Sequence, residues 1–350
     1  MSKQKKQVLI TFDYELFLGN RSGSVDDCLI KPTNQILDVI EKHGERAIFF
    51  IDTTHLLTLE KYAEKYDACS NDLETVSAHI ASISKRGHEI FPHLHPHWLD
   101  AEYLPQTNEW KLTDTDKYRF FHLNENEREL IFTGSVELLN KFIKPHNPEY
   151  ILDGYRAGGW CIQPFSAFEP YFKKHKIKYD FSVLGKFYLF SNAQYFDFSE
   201  APEKSVYHFQ NDIVKENDKG LFTELNISSV FIPKNVQFLN KIFQKFYFKL
   251  TGDHSFNRGE GQIAVKIDPS IVKPQTHGYD ILNSNWERVA IELMSQIKMP
   301  VYKKFIQEQD YMHFISHPKM LTQHNIRMFD NFLSYAGSRY EIETDFRKMV

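Results

Sequence analysis

Short apolar, β-like runs alternate with helix-like segments along most of this 350-residue chain, and this alternation constrains its fold more than any other feature. The β-branched and aromatic runs predict about seven strands. The predicted strands lie at residues 7–12, 46–51, 88–91, 150–155, 178–183, one of 206–209 or 222–227, and 311–316. Helical periodicity predicts helices at residues 33–43, 56–85, 125–144, 164–175, 285–299 and 321–336. Such alternation predicts an α/β fold in which crossover helices join parallel strands.

Three stretches interrupt the alternation. Residues 103–122 are polar with scattered aromatic side chains, while 195–220 and 251–262 carry turn residues and charges. We therefore expect loop and helix insertions at about 103–122 and within 195–262, covering one end of the barrel. Because no internal repeat and no linker is found, residues 1–350 are predicted to form a single domain.

Residues 236–250 predict an amphipathic helix. One of its faces carries Leu239, Ile242, Phe243, Phe246 and Leu250, and another face carries lysines. The ordinary interpretation is a helix packed on the core with its lysine face in solvent. The alternative is a helix that lies on a membrane surface.

Composition narrows the classes of function. With 42% hydrophobic residues the chain can build a core, and a net charge of −4 argues against a broad nucleic-acid-binding surface. No apolar run reaches the length of about 18 residues that a transmembrane helix requires. Asp13 and Glu15 interrupt the apolar run that follows the basic N-terminal residues, so export is not expected. The three cysteines are widely spaced and form no CxxC motif, which fits a reducing, cytoplasmic location.

Acidic and histidine side chains follow several of the predicted strands, where parallel α/β folds place their chemistry. Asp13 and Glu15 end the first strand, and residues two apart on a strand point the same way, so both can enter one pocket while Tyr14 points elsewhere. His93 and His97 are spaced so that both imidazoles can face one divalent metal ion such as zinc. A carboxylate would complete an open, catalytic type of site.

Two further candidates follow later strands. His317 comes directly after the strand at 311–316. Arg156 follows the strand at 150–155 and precedes Gly158 and Gly159, so it could hold a carboxylate while the glycine backbone approaches a substrate oxygen.

In combination these motifs resemble the polysaccharide deacetylase family, the NodB-homology carbohydrate esterases. The matching segments are Thr11-Phe-Asp-Tyr-Glu15, His93-Leu-His-Pro-His97, Arg156-Ala-Gly-Gly-Trp160 and Ile315-Ser-His317. The resemblance covers residues 8–318 and implies a distorted, NodB-like (β/α) barrel.

The resemblance also implies roles for these residues. Glu15, His93 and His97 would hold a divalent metal, expected to be Zn²⁺, and Asp13, paired with Arg156, would be the general base. The backbone N–H of Gly159 would hold the oxyanion, and His317 would protonate the leaving amine. His95, Trp98, Tyr155 and Trp160 are candidates for contact with a sugar.

The resemblance predicts removal of an N-acyl group, usually acetyl, from an amino sugar or a polysaccharide precursor. The chain departs from the family pattern, because Tyr14 stands where the family has its second Asp and the third motif lacks a proline, which points to a divergent branch. Three alternatives remain open: a metal-independent hydrolase of linear amides on the same fold, a glycosidase using Asp13 and Glu15, and a non-catalytic carbohydrate-binding relative.

Overall fold

The computed structural model describes residues 3–253 and 276–350. Residues 254–262 of the predicted insertion at 251–262 lie outside the described residues.

Most strands of the described chain join one central sheet. The strands are β1 (Gln4–Tyr14), β2 (Ile48–Asp52), β3 (Glu89–Leu94), β4 (Glu102–Leu104), β5 (Glu109–Lys111), β6 (Gly154–Ala157), β7 (Tyr179–Asp180), β8 (Phe187–Phe190), β9 (Tyr195–Asp197), β10 (Val206–Phe209), β11 (Phe222–Leu225), β12 (Ser229–Phe231), β13 (Tyr279–Asp280), β14 (Trp286–Arg288), β15 (Tyr311–Ser316) and β16 (Tyr340–Glu343). The central sheet has the order β10-β11-β7-β6-β3-β2-β1-β15, and β16 pairs with the start of β1. Every pairing in it is parallel except that between β10 and β11. The predicted α/β class is confirmed, with a curled, mostly parallel sheet that forms a half-barrel.

The helices of the described chain lie mainly between these strands. They are α1 (Lys31–Lys42), α2 (Thr53–Ala63), α3 (Asp67–Lys85), α4 (Glu125–Ile143), α5 (Glu169–His175), α6 (Lys234–Thr251), α7 (Met299–Glu308) and α8 (Gln323–Arg339). Local sequence explains several of their ends: Asn124 and Glu127 form a capping box at the start of α4, and Thr322 and Asn325 form one at the start of α8. None of the described helices is both long enough and apolar enough to cross a bilayer.

Strand β1 shows how alternation divides the core. Its residues from Val8 to Tyr14 are all buried, as expected for a central parallel strand with both faces covered. Val8, Ile10, Phe12 and Tyr14 pack into one apolar cluster, while Leu9 packs into another. The period of two therefore sends Tyr14 to one side of the sheet and Asp13 to the other.

Several predicted elements need correction. The helix predicted at 285–299 is wrong, because Trp286–Arg288 pairs antiparallel with Ser229–Phe231 and α7 starts only at Met299, where Pro300 occupies the first turn. The long helix predicted at 56–85 is two helices, α2 and α3. Both alternatives for the sixth strand, β10 and β11, are present, and the C-terminal strand β16 was not predicted.

Helix α6 lies where an amphipathic helix was predicted, but its packing differs. Leu239, Ile242, Phe246 and Leu250 are exposed, so the apolar face does not pack on the core. Asn240 is the buried residue of the helix.

Candidate active site

A cavity of about 410 Å³ opens at the carboxyl ends of β1, β3, β6 and β15. Each strand contributes polar side chains at or just beyond its last residue, because parallel strands end at the same edge of the sheet. The lining residues are Asp13, Glu15, Phe17, His93, His95, Tyr118, Ala157, Gly159, Trp160, Gln194, Arg288, His317, Lys319 and Met320. The predicted candidates Asp13, Glu15, His93, Gly159, Trp160 and His317 are thus brought together.

Asp13 forms a buried ion pair with Arg156. Nη1 of Arg156 donates to Oδ1 of Asp13 over 2.6 Å, and the guanidinium is fully buried. The same guanidinium also donates to Thr11 Oγ1 and to the carbonyl of Phe181, which fixes its orientation. Burial alone would raise the pKa of Asp13, but the charges of Arg156, His93 and His317 together outweigh it and hold that pKa below its usual range. Asp13 is therefore ionised at neutral pH, with Oδ2 turned toward the cavity histidines.

Glu15, His93 and His95 form a compact buried cluster. Oε2 of Glu15 lies 3.3 Å from Nε2 of His93 and 2.7 Å from Nε2 of His95, and the two Nε2 atoms are 3.1 Å apart. Despite these short distances, Oε2 of Glu15 has no partner of hydrogen-bond geometry among the described residues. One ligand atom from each residue lies within 4.8 Å of the other two. Three donor atoms thus converge on one point.

The tautomer of His93 supports this geometry. Its Nδ1 lies 2.9 Å from the backbone carbonyl of Arg156, which can only accept, so Nδ1 carries the proton. In the neutral ring Nε2 then presents its lone pair to the cluster, and a backbone carbonyl on the other nitrogen is the usual arrangement behind a metal-binding histidine. Two imidazole nitrogens and a carboxylate oxygen are a donor set that suits Zn²⁺ and leaves a coordination position open. The residues present therefore fit a divalent metal.

His97, predicted as a metal ligand, does not join this cluster. It lies in the 3₁₀ turn Pro96–Asp100 that follows β3, and its ring stacks on Tyr118 with centroids 4.9 Å apart. Burial lowers the pKa of His97 well below its usual value, so the ring is neutral. The third ligand position predicted for His97 is occupied by His95, which the sequence had indicated only as a substrate contact.

His317 faces the cavity from the end of β15. Its Nε2 lies 3.6 Å from Asp13 Oδ2 and 3.7 Å from Glu15 Oε1, while its Nδ1 hydrogen-bonds to Oε1 of Glu292 over 3.0 Å. Glu292 is buried and paired with Arg288. Burial opposes its ionisation, but the hydrogen bond to His317 and the Arg288 charge prevail and lower the pKa of Glu292. An ionised carboxylate therefore holds the ring of His317 with Nε2 toward the cavity.

Lys319 was missed by the sequence reasoning. Its Nζ lies 2.9 Å from Glu15 Oε1 and 2.7 Å from the carbonyl of Leu16, in a buried position at the base of the cavity. Burial would raise the pKa of Glu15, but the charges of Lys319 and His95 hold it well below its usual range. Little in the sequence indicated this contact, because Lys319 lies two residues after His317 in a turn whose geometry cannot be predicted from the residues alone.

Two predicted sugar contacts are corrected. Trp98 is fully buried and its indole donates to Asp52 Oδ2 over 2.6 Å, so its role is structural. Tyr155 is buried among aromatic rings, including Phe132 and Phe172. Neither lines the cavity, because Trp98 packs against His55 of α2 and Tyr155 packs against α4 and α5.

Trp160 and Gly159 lie where a substrate could reach them. Gly159 has a positive φ of 57°, and a β-carbon there would collide with Tyr118. Its carbonyl accepts from Gln194, which fixes the turn that carries Trp160 into the cavity wall. The role of the Gly159 N–H as an oxyanion donor stays a prediction.

No protein-family model and no curated sequence matches the chain. Among solved structures, a protein from Mycobacterium smegmatis assigned as a polysaccharide deacetylase is 12% identical, with a TM-score of 0.45 over 98% of this chain and 87% of that one. The catalytic domain of peptidoglycan N-acetylglucosamine deacetylase from Eubacterium rectale is 12% identical, with a TM-score of 0.34 over 96% and 87%. Puue allantoinase is 8% identical, with a TM-score of 0.45 over 97% and 86%. These similar structures include members of the family that the motifs resemble.

Proposed function

We propose that this protein is a metal-dependent hydrolase that removes an N-acyl group, typically acetyl, from an amino sugar or a polysaccharide precursor. The observation that carries the proposal is the convergence of Glu15 Oε2, His93 Nε2 and His95 Nε2 beside the ionised Asp13. A divalent cation held there would lower the pKa of a water molecule toward ~7 and polarise the amide carbonyl.

Each remaining side chain has a task that follows from its position. Asp13 is kept as a carboxylate by Arg156, so it can accept the proton of the attacking water. His317, oriented by Glu292, can deliver a proton to the leaving amine nitrogen. The amide bond breaks as the water oxygen becomes part of the carboxylate product, and the nitrogen leaves as the amine.

The walls of the cavity fit a sugar. Trp160, Phe17 and Met320 supply apolar surface beside the charged base, and Trp160 offers an aromatic face on which a pyranose ring can stack. If the protein acts in the cytoplasm, as the sequence leads us to expect, its substrate is a nucleotide-linked or lipid-linked amino sugar of a surface polysaccharide pathway.

The test is release of acetate from N-acetylated glucosamine and its oligomers by the purified protein. We expect Asp13→Asn to reduce the rate by ~10²–10⁴-fold, because general acid–base help is worth that much. Tyr14→Phe is the matched control, since Tyr14 is adjacent in β1 but faces away from the cavity. Full activity in Asp13→Asn would overturn the assignment of the base, and absence of acetate release from every such sugar would overturn the substrate class.

One observation favours a second candidate, a metal-independent hydrolase of linear amides. The Lys319 ammonium already supplies a positive charge beside Glu15, at the place where a metal would otherwise be the main counter-charge. Elemental analysis and chelation separate the two candidates. Activity that persists in chelator-treated, zinc-free protein would favour the metal-independent enzyme, whereas loss on chelation and recovery with Zn²⁺ would favour the metal-dependent one.

A further inference from the structure

Helix α6 presents a broad apolar surface to solvent. Five large apolar side chains of this helix, here called the α6 stripe, are between 40% and 84% exposed: Phe238, Leu239, Ile242, Phe246 and Leu250. At about 100° per residue they share one side of the helix. Isolated exposed apolar residues are ordinary, but a contiguous row of five on one helix marks a surface made for contact.

The rest of the helix is firmly attached to the protein. Asn240 accepts a hydrogen bond from Ser295, and Tyr247 packs on His324 and accepts a hydrogen bond from Arg327. These residues project from a different side of the helix than the α6 stripe does. These contacts fix the orientation of α6 on the protein, and the α6 stripe therefore points to solvent.

Charge identifies the partner. Helix α6 carries Lys234, Lys241, Lys245 and Lys249 and no acidic residue, in a chain whose net charge is −4. Lys241, Lys245 and Lys249 recur every four residues and form a row along one edge of the α6 stripe. None of the four lysines makes an ion pair with an acidic side chain among residues 3–253 and 276–350. An apolar stripe edged by lysines without an acidic partner in the described part of the chain is the pattern of a helix that lies in the interface of an anionic bilayer.

We infer that α6 docks this protein on an anionic lipid surface, with the α6 stripe inserted among the acyl chains and the lysine row on the headgroups. The position of the helix gives this contact a consequence for the cavity. Helix α6 packs against His324. In the sequence His324 comes shortly after Lys319 and Met320, which line the cavity. Docking would therefore hold the cavity near the membrane surface. A second copy of this chain fits the stripe less well, since its own α6 would bring four more positive charges and no acidic residue.

The first experiment measures binding of the full chain to vesicles by co-sedimentation. We expect binding to vesicles of phosphatidylcholine mixed with phosphatidylglycerol and much weaker binding to phosphatidylcholine alone. The triple variant K241Q/K245Q/K249Q should bind the anionic vesicles on the order of 100-fold more weakly, at about five-fold for each lysine lost. The matched control K61Q/K85Q/K144Q removes three exposed lysines, two in other helices and one at the end of α4, and should bind as the unaltered protein does.

The second experiment separates the apolar contribution from the ionic one. F238S/F246S should weaken vesicle binding even at high salt, where screening removes most of the lysine contribution. L130S is the control, because Leu130 is equally exposed but lies on α4. Equal binding to neutral and anionic vesicles, or undiminished binding by the triple variant, would overturn the inference. So would a concentration-dependent dimer that F238S/F246S abolishes, since a second copy would then be the occupant.

Discussion

Lys319 donates to Glu15 across 2.9 Å, and both side chains are about 98% buried. The ammonium holds Oε1 of the carboxylate, while Oε2 faces the imidazoles of His93 and His95. One oxygen of the Glu15 carboxylate thus accepts a hydrogen bond from a lysine, and the other faces a candidate metal position. Any cation bound by the cluster must share Glu15 with Lys319.

We expect Lys319→Met to destabilise the protein by about 3 kcal/mol, because it leaves a buried carboxylate without its counter-charge. A divalent cation at the cluster would supply that charge, so Zn²⁺ should stabilise the variant more than it stabilises the unaltered protein. Thermal unfolding with and without Zn²⁺ measures both effects.

Lys298→Met is the matched control for this prediction. Lys298 is also buried and paired, with Glu287, but neither residue lines the cavity. It should destabilise the protein without increasing the response to Zn²⁺. An equal response to Zn²⁺ in the unaltered protein and in Lys319→Met would contradict the shared use of Glu15.

The second prediction concerns which histidines hold the metal. We expect His95→Ala to lose stoichiometric zinc, with an affinity loss above the ~10–100-fold that removal of an outer hydrogen-bond partner costs. His97→Ala should keep its zinc and lose only folding stability, because the ring packs on Tyr118. Elemental analysis and calorimetric titration with Zn²⁺ distinguish the two. Loss of zinc in His97→Ala alone would restore the ligand set that the sequence predicted.

The sequence predicted the right strands for this site and missed some of its geometry. The period of two placed Asp13 and Glu15 on one side of β1 and Tyr14 on the other, and the structure agrees. The same rule applied to β3 would have paired His93 with His95. The spacing of His93 and His97 instead suggested a helical turn or a tight loop that brings both rings to one ion, whereas Pro96 starts a 3₁₀ turn that places the ring of His97 on Tyr118. The period of a strand thus predicts the direction of a side chain only as far as the chain keeps the extended geometry of that strand.

Contacts that depend on pairing between distant segments could not be predicted from local periodicity. Trp286–Arg288 pairs with Ser229–Phe231, and the segment that follows lies against β15, where Val289 O accepts from Ile315 N and Ile291 N donates to Ser316 Oγ. Glu292 reaches His317 through these contacts. The same pairing overrides the helical periodicity that predicted a helix at 285–299. Lys319 likewise depends on the turn after β15.

A third prediction concerns Tyr14, which replaces a second Asp of the family motif. Its hydroxyl bonds to His79 Nδ1 over 2.9 Å on the side of β1 opposite the cavity. Tyr14→Phe should therefore cost about 1 kcal/mol of stability, the net value of one hydrogen bond, and leave zinc binding unchanged. Chemical denaturation and zinc titration check the two parts. A changed zinc affinity would mean that Tyr14 acts on the cluster after all.

Asp180 and Glu224 form a buried pair of carboxyl groups on neighbouring strands. They are direct partners on β7 and β11, and both are fully buried. Ser182 N donates to Asp180 Oδ1 and Val183 N to Glu224 Oε1, while Asp180 Oδ2 and Glu224 Oε2 have no hydrogen-bond partner among the described residues. Burial raises the pKa of Asp180 to about 6 and that of Glu224 well above its usual value.

Both folded pKa values exceed the unfolded ones, so the folded state favours the protonated carboxyl groups, and the stability they contribute is present in acid. It is lost as the pH rises through about 6. A tenfold difference in proton affinity between the folded and unfolded states is worth about 1.4 kcal/mol, so the rise of the Asp180 pKa from its usual 3.8 to about 6 predicts a loss of about 3 kcal/mol between about pH 4 and pH 6. The amide pair D180N/E224Q cannot titrate and should lose less stability over that range. D38N/E74Q, two exposed acids changed in the same way, should follow the unaltered protein. Denaturation at a series of pH values gives the slopes, and parallel slopes for D180N/E224Q and the unaltered protein would show that the buried pair does not titrate there.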